Sequence, residues 1–482
     1  MFTGPTGLTL QDGSPLDREV ATALWKSLVE SGATGAAGET RTVPAPDNAG
    51  AREVLAVGLG HPGAGADEVR DAAGVASRVL RARPDTGTGG ITVLSLLGVL
   101  SPAAAVEGHA LGAYRYSGLR TSPPRTGTIA RLGIVVRGRD DGRREDDTAA
   151  FIHACTVVEA VAVARDLVNA PANRLYPESY ADLLTDLAGR SGVTVEVLDG
   201  DDLRDRGYGG ILGVAAGSVH PPRLVRLRYR PEPSAGAAVT PHVALVGKGV
   251  TFDSGGVSLK KASGMDTMIS DMAGSAAVAA AVIAASELEL PVAVTATVPL
   301  AENMPDAASM RPGDVLRHYG GTTTEVLNTD AEGRLILADA IARAVEDGPD
   351  LLVEVSTLTG AQVSSFGDRV TAVMGTPSLR DRVTRLAAEV GEDAWPAPLP
   401  AETAREIRSD VADLRNTGRG RGAGMAAAGH YLAAFVPEPL PWVHLDVAGP
   451  AFNTGAPHGE VPRRATGCPV RTLVALLEDL SR

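Results

Sequence analysis

VALVGKGVTFDSGGVSLKKASGMDTMISDMAGSAA, from Val243 to Ala277, carries an apolar strand into polar, glycine-rich backbone and out again into a helix. The strand residues His242–Val246 end at Gly247-Lys248-Gly249, where glycines on both sides of a lysine predict a turn. Asp253 follows with Ser254-Gly255-Gly256, then Lys260, and Asp271 opens an alanine-rich helix predicted over Met272–Glu287. Strands and helices keep alternating outward from this stretch. Strands are predicted at Val193–Leu198 and Leu224–Leu227 before it, and at Val292–Val298, Glu325–Leu327 and Leu351–Val355 after it, with a helix at Arg334–Glu346. Such alternation predicts an α/β fold whose central, mostly parallel sheet is flanked by helices. In these sheets ligands gather beyond the carboxyl ends of the strands, which directs attention to the residues that follow them.

A second stretch, LNTDAEGRLILADAI (Leu327–Ile341), has the same character. Asp330 and Glu332 are two residues apart, a spacing that in extended chain puts both carboxylates on one side. Arg334 then starts a helix whose next residues are Leu335, Ile336, Leu337 and Ala338. Acids and an arginine between a buried strand and an apolar helix are costly to desolvate unless something compensates them, and a metal would. Alone, Asp271 reads as an acid at a helix N-terminus and Asp330 as a turn residue. Together, Asp253, Asp271, Asp330 and Glu332 supply four negative charges that two divalent cations would balance. Carboxylate ligands favour hard or borderline ions such as Mn²⁺, Mg²⁺ or Zn²⁺.

The chain has 482 residues and a formal charge of 45 − 58 = −13. At about 150 residues per domain, two or three domains are expected. Residues 1–150 read as a smaller N-terminal α/β domain, with strands at Val54–Val57, Ile91–Leu94 and Ile134–Val136 and a helix at Asp67–Leu80. RGRDDGRREDD (Arg137–Asp147) reads as a solvated loop whose arginines are interleaved with acids. A long helix from Thr148 to about Val168 is stopped by NAPANRLYP, so residues 151–168 are expected to connect the first domain to a catalytic domain at 169–482. WPAPLP (Trp395–Pro400) reads as a surface turn before another helix.

Several function classes are disfavoured. An acidic total argues against a nucleic-acid-coating protein. Two cysteines far apart, Cys155 and Cys468, exclude a disulfide framework and a structural zinc knot. The N-terminus lacks a signal-peptide pattern, and the apolar stretch Ala273–Ala285 is too short to span a bilayer, so a soluble cytoplasmic protein is expected. DSGG (Asp253–Gly256) is reminiscent of a trypsin-type serine peptidase loop, but Phe252 precedes it and Val257 follows, where that loop has glycine and proline. VGLGHPG (Val57–Gly63) satisfies G-x-G-x-x-G, yet the next predicted strand lacks the acid at its end that a ribose requires. A non-catalytic or DNA-associated protein on the same fold is the remaining alternative to an enzyme.

The VGKGVTFDSGG…SLK…GMDTM…SDMAG run and the heptad NTDAEGR (Asn328–Arg334) resemble the signatures of the leucyl aminopeptidase family, the M17 metallopeptidases with two metal ions. DLVNAPANRLYP (Asp166–Pro177), ENMPDAASMRPGD (Glu302–Asp314), STLTGA (Ser356–Ala361), SDVADLRN (Ser409–Asn416) and HLDVAG (His444–Gly449) extend the likeness from about residue 165 to the C-terminus. The resemblance implies that Asp253 and Glu332 bridge two divalent ions, Mn²⁺ or Zn²⁺. Lys248 and Asp271 would complete the tighter site, and Asp330 the more exchangeable one. Lys260 would stay charged and point at the scissile carbonyl oxygen, and Arg334 would hold a bicarbonate ion as general base. Met268, Asn328, Thr357, Leu358, Gly360 and Ala448 would line the substrate pocket. The implied activity is release of N-terminal amino acids, leucine preferred within a broad specificity, from peptides with a free N-terminus, by a homohexamer away from membranes and nucleic acid. Two departures stand out: Lys261 follows Lys260 where the family usually has proline, and GRGRGAGMAAAGHYL (Gly418–Leu432) has alanine where many relatives have threonine.

Overall fold

The computed structural model describes residues 1–4, 7–10, 16–84, 89–122, 127–136, 144–232, 240–420 and 422–481, which fall into two compact units. One comprises Met1–Glu159 with Thr454–Arg463, and the other Ala160–Asn453 with Arg464–Arg482. The helix Arg144–Asn169 carries the chain from the first into the second. The charge-dense segment predicted as a loop lies mostly outside the described residues.

In the first unit Thr40–Pro44 pairs antiparallel with Glu53–Val57, and Ile91–Ser95 pairs parallel with Ile129–Ile134. The third strand thus lies earlier than the apolar run Ile134–Val136, because its register is set by pairing with Ile91–Ser95. The helices are Arg18–Glu30, Ala66–Arg81 and Pro102–Ala113. His109 ties the second and third helices to a strand: its buried ring meets Ser77 Oγ and Ser95 Oγ, each at 2.8 Å. The strand before VGLGHPG has an antiparallel partner, which a dinucleotide-binding βαβ unit does not have.

The second unit is built on a nine-stranded sheet. In chain order its strands are β1 (Thr194–Leu198), β2 (Arg223–Tyr229), β3 (His242–Gly247), β4 (Gly249–Asp253), β5 (Ala293–Asn303), β6 (Leu351–Ser356), β7 (Thr371–Gly375), β8 (Ala394–Pro396) and β9 (Trp442–Asp446). They lie in the order β8-β7-β9-β6-β3-β5-β2-β1, with β4 also on β5. The pairs joining β3, β4, β5, β6 and β9 are all parallel, as is β7 with β8. Antiparallel pairs lie toward the edges, β5 with β2, β2 with β1, and β9 with β7. The fold is α/β, as the alternation predicts, and the central strands are buried along almost their whole length because helices cover both faces.

Helix α1 (Ala273–Glu287) packs on one face and α2 (Gly333–Val345) on the other. Ala244 and Val246 of β3 share a core cluster with Leu335–Ala338 of α2, whereas Gly247, on the opposite side of the pleat, abuts Gly274 and Val278 of α1. Residues Met265–Glu287 are long and apolar enough to cross a membrane, but Ser270–Ala285 within them are all buried inside the fold, so α1 is a core helix.

Three local expectations are corrected. Gly247-Lys248-Gly249 does not reverse the chain: Val246 pairs with Thr297 and Gly249 with Leu300, so β3 and β4 continue along one edge of β5. The glycines serve close approach instead. A Cβ on Gly247 would lie 2.6 Å from Gly274 O, and one on Gly249 2.5 Å from Pro299 O. Trp395 and Pro396 belong to the edge strand β8 rather than to a turn, a position that tolerates proline because one side of an edge strand needs no donor. The strand expected at Glu325–Leu327 is Thr323–Glu325, and it pairs with Val315–Arg317 and Leu414–Arg415 outside the central sheet.

Gly274 sets how closely α1 can approach, since a Cβ there would stand 2.0 Å from Val355 O of β6. Gly274→Ala is expected to destabilise the fold by about 1–3 kcal/mol through overpacking. A lowered melting temperature in calorimetry checks this; an unchanged one would show that the helix can shift at no cost.

Candidate metal centre

The acids and lysines predicted from the sequence come together beyond the carboxyl ends of β3, β4 and β6. Lys248 emerges between β3 and β4, and Asp253 ends β4. Asp271 precedes α1, and Asp330 and Glu332 lie in the turn that enters α2. Asp253, Asp330 and Glu332 each bring a carboxylate oxygen within 4.8 Å of the others. Lys248 Nζ lies 2.8 Å from Asp271 Oδ1 and 2.9 Å from Glu332 Oε1, and Lys260 Nζ lies 2.7 Å from Asp253 Oδ2 and 2.5 Å from Asp330 Oδ1.

The convergence of Asp330 and Glu332 does not arise from extended chain. Asn328 Oδ1 accepts from Asp330 N at 2.9 Å, an Asx turn, and Glu332 already has helical backbone before Gly333. The glycine of NTDAEGR has a steric cause, because a Cβ on Gly333 would sit 2.4 Å from Lys248 Cε. Nor does Asp271 cap α1. Its Oδ1 accepts from Thr357 Oγ1 at 2.7 Å and faces Lys248.

The remaining predicted residues surround this cluster. Thr357 O accepts from Lys248 Nζ at 3.1 Å. Leu358 N and Ala448 N both donate to Asp446 Oδ1 at 3.2 Å, so Asp446 at the end of β9 ties two loops together. Gly360 begins a short helix, Gly360–Phe366, and Met268 is half-buried in the 3₁₀ turn before Asp271. Arg334 is buried; its Nη1 donates to Asn416 O at 2.7 Å while Nε has no hydrogen-bond partner among the described residues. Lys261 is exposed, and Ala426–Ala428 are buried, so those alanines fill the core.

Three supporting residues lie in quoted motifs that had given them no role. Asn303 Nδ2 donates to Asp253 Oδ1 at 2.8 Å and to Thr329 O at 3.0 Å. Asn416 Nδ2 donates to Asn328 O at 2.6 Å and its Oδ1 accepts from Leu327 N at 2.8 Å, which holds the Asp330 turn. Asp446 is the third. Each ends a strand or faces one, a signal visible only once the pairing is known. Ser254 of DSGG is buried and its hydroxyl donates to Asn303 O at 2.7 Å, which leaves no serine-peptidase nucleophile there.

The electrostatics of the cluster fit a bound cation. Four carboxylates face two ammonium groups, so two negative charges are uncompensated by the chain. Asp271 Oδ2 is buried without a hydrogen-bond partner among the described residues. Burial pushes the Asp253, Asp271 and Asp330 carboxyls above their ordinary range, with Glu332 adding to this at Asp253 and Asp271 and the lysines opposing it. Burial alone would lower Lys248 and Lys260. Asp271 and Glu332 around the first, and Asp253 beside the second, outweigh it and raise both. Oxygen donors with a single amine suit a hard or borderline dication.

A carboxylate cluster of this kind at the strand ends of an α/β sheet suits a divalent-ion site. Over residues 162–474 the chain matches the cytosol aminopeptidase family, catalytic domain, and over residues 6–123 the N-terminal domain of the same family. It is 50% identical to the probable cytosol aminopeptidase of Nocardia farcinica, across 97% of this chain and 91% of that one. It is 48% identical to that of Mycobacterium tuberculosis, across 93% and 86%. Among solved structures, the bottromycin maturation enzyme BotP in complex with Mn has a TM-score of 0.85 at 36% identity, covering 100% of this chain and 98% of that one. The chain belongs to the cytosol aminopeptidase family. It is a metal-dependent aminopeptidase, a hydrolase that acts at peptide N-termini. The likeness includes the first 120 or so residues, where the motifs were weakest.

Asn303 orients Asp253 through its side-chain amide. Asn303→Ala is expected to weaken metal binding by about 10–100-fold. Competition against a chromogenic chelator measures this, and unchanged affinity would show that Asp253 needs no such support.

Proposed function

We propose that the cluster holds two divalent ions, Mn²⁺ or Zn²⁺, with Asp253 and Glu332 shared between them, Lys248 and Asp271 on the tighter one and Asp330 on the more exchangeable one. The observation that carries this reading is the convergence of four buried or half-buried carboxylates with only two lysines among them, which leaves net negative charge for cations to offset. When bound, the dications supply Lewis acidity that makes water nucleophilic near neutral pH and a docking point for a free α-amino group, and bicarbonate supplies a base. The chain's own groups do the rest. Lys260, kept charged by its carboxylate neighbours, donates to the scissile carbonyl oxygen as negative charge develops there. Arg334 offers its unpartnered Nε to bicarbonate. Thr357 holds Asp271 through its hydroxyl and Lys248 through its carbonyl oxygen.

Met268, Asn328, Thr357, Leu358, Gly360 and Ala448 form the substrate pocket in this reading. A lining with apolar members favours leucine-like side chains, with broad specificity because a methylene is worth only about 1–3 kcal/mol. The chemistry is assigned to residues 169–482, with 151–168 as the connector from a domain at 1–150. The assembly proposed is a homohexamer in the cytoplasm, acting on peptides.

The protein, stripped by a chelator, is to be assayed on a leucine-linked chromogenic amide while Mn²⁺, Zn²⁺, Co²⁺ or Mg²⁺ is restored singly. Cleavage is expected to return with metal, and to be absent for Asp330→Ala and for the N-acetylated substrate. Cleavage that survives chelation, or that ignores the acetyl group, would sink the proposal. Lys260→Met is expected to lower kcat by about 10²–10³ with KM little changed.

As a ligand, Lys248 must lose the proton that the metal-free site holds tightly. Metal loading is therefore expected to release protons, and apparent affinity to rise with pH, because every group with a raised pKa there is a proton competing with the ion. Calorimetry in two buffers of different ionisation enthalpy counts those protons, and a count of zero contradicts a lysine ligand.

A further inference from the structure

A second charged cavity lies at the amino ends of the central strands, the end of the sheet away from the metal centre. Its volume is about 430 Å³, and Gly192, Thr194, Arg228, Arg230 and Asp347 line it. Thr194 begins β1, Arg230 follows β2, and Asp347 follows α2, whose first turn carries Arg334. The 13 residues of that helix give it a length of about 20 Å between the two places.

Strand register builds the cavity. Arg226 stands opposite Glu196, Arg228 stands opposite Thr194, and Arg230 comes two residues later on the same side of β2. This is the face covered by α2, because Arg226 pairs with Thr297 of β5, Thr297 with Val246 of β3, and Val246 packs in the cluster with α2. Arg226 is fully buried and pairs with Asp347; its Nη1 lies 3.5 Å from Glu196 Oε2 and has no hydrogen-bond partner among the described residues. Arg228 Nη2 meets Glu196 Oε2 at 2.5 Å, and Arg343 Nη1 meets Asp347 Oδ1 at 3.1 Å. Burial would raise the Asp347 carboxyl, but Arg226 and Arg343 outweigh it and hold it below its ordinary range. Two further acids are engaged elsewhere: Asp350 Oδ2 accepts from His242 N at 2.8 Å, and Glu346 lies on Arg343 at 3.5 Å and accepts from Tyr319 Oη at 3.0 Å. Arg230 is exposed and has no ion pair or hydrogen bond among the described residues.

A guanidinium carries more N–H donors than one carboxylate accepts. Arg226, Arg228 and Arg343 share two acids, each of which already serves two of them, and Arg230 has none. The surplus of donors at the cavity wall therefore belongs to Arg228 and Arg230, about 7 Å apart along the strand, a spacing from which both long side chains reach one ligand group. The acceptors must come from outside the chain. Planar guanidiniums suit phosphate oxygens, and the cavity is large enough for a small organic molecule rather than a bare ion. We propose that this cavity is a second ligand site, one that takes the phosphate group of a small phosphorylated molecule between Arg228 and Arg230.

Manganese-loaded protein is to be titrated calorimetrically with phenyl phosphate and, separately, with benzoate, with melting temperature followed in parallel. Phenyl phosphate is expected to bind, and benzoate to bind about tenfold or more weaker, since a single carboxylate offers less charge and fewer acceptors to two guanidiniums. Arg230→Gln is expected to weaken phenyl phosphate about tenfold or more at an unchanged melting temperature, because Arg230 holds no other group. Arg334→Gln, at the far end of α2, is expected to leave that affinity within about twofold. Binding that is unchanged in Arg230→Gln, or that is lost in Arg334→Gln instead, places the phosphate elsewhere and overturns the proposal. Equal affinity for benzoate overturns the assignment to phosphate, and wild-type protein that binds neither probe overturns the site itself.

Discussion

Four carboxylates and two ammonium groups share the space beyond the ends of three parallel strands, and their mutual charge is the constraint around which the second unit is arranged. Buried acids this close repel one another, and each desolvated charge costs several kcal/mol when left alone. Lys248 and Lys260 relieve half of that charge. The remainder is an affinity for cations built into the fold, and burial, with neighbouring acids adding to it, holds three of the carboxyls above their ordinary range.

Holding such a cluster requires backbone that comes closer than side chains ordinarily permit. Gly274 lets the start of α1 lie against β6, and Gly333 lets Lys248 run past the start of α2. Polar side chains fix what the glycines leave loose. Asn303 holds Asp253, Asn416 holds the turn containing Asp330, and Asp446 joins the loops after β6 and β9. These residues make the carboxylates a rigid set before any ion arrives, which is what differential stabilisation of a transition state needs.

The buried layer beneath the cluster carries its own electrostatic order. His318 meets Asp339 Oδ1 and Thr324 Oγ1, each at 3.0 Å, with Tyr431 of the helix Gly424–Ala433 closing the network. Glu354 and His444 form a second buried pair, on the neighbouring strands β6 and β9. Arg334 lies buried at the start of α2, with Nη1 on Asn416 O and Nε without a hydrogen-bond partner among the described residues.

The sequence by itself determined the α/β class, five of the nine strands of the central sheet and the identity of the acids and lysines, because periodicity of apolar residues and unpaired charge between buried elements are local signals. NTDAEGR and the run from Val243 to Ala277 carried the family. Geometry was decided by tertiary structure. The lysine between Gly247 and Gly249 marks a strand that continues, since the register with β5 holds across it. Asp330 and Glu332 converge through an Asx turn rather than through strand alternation. Trp395 and Pro396 became an edge strand because β7 had a free side to offer. The pairing of Glu354 with His444 is 90 residues apart in the chain, and only the parallel register of β6 and β9 brings them together.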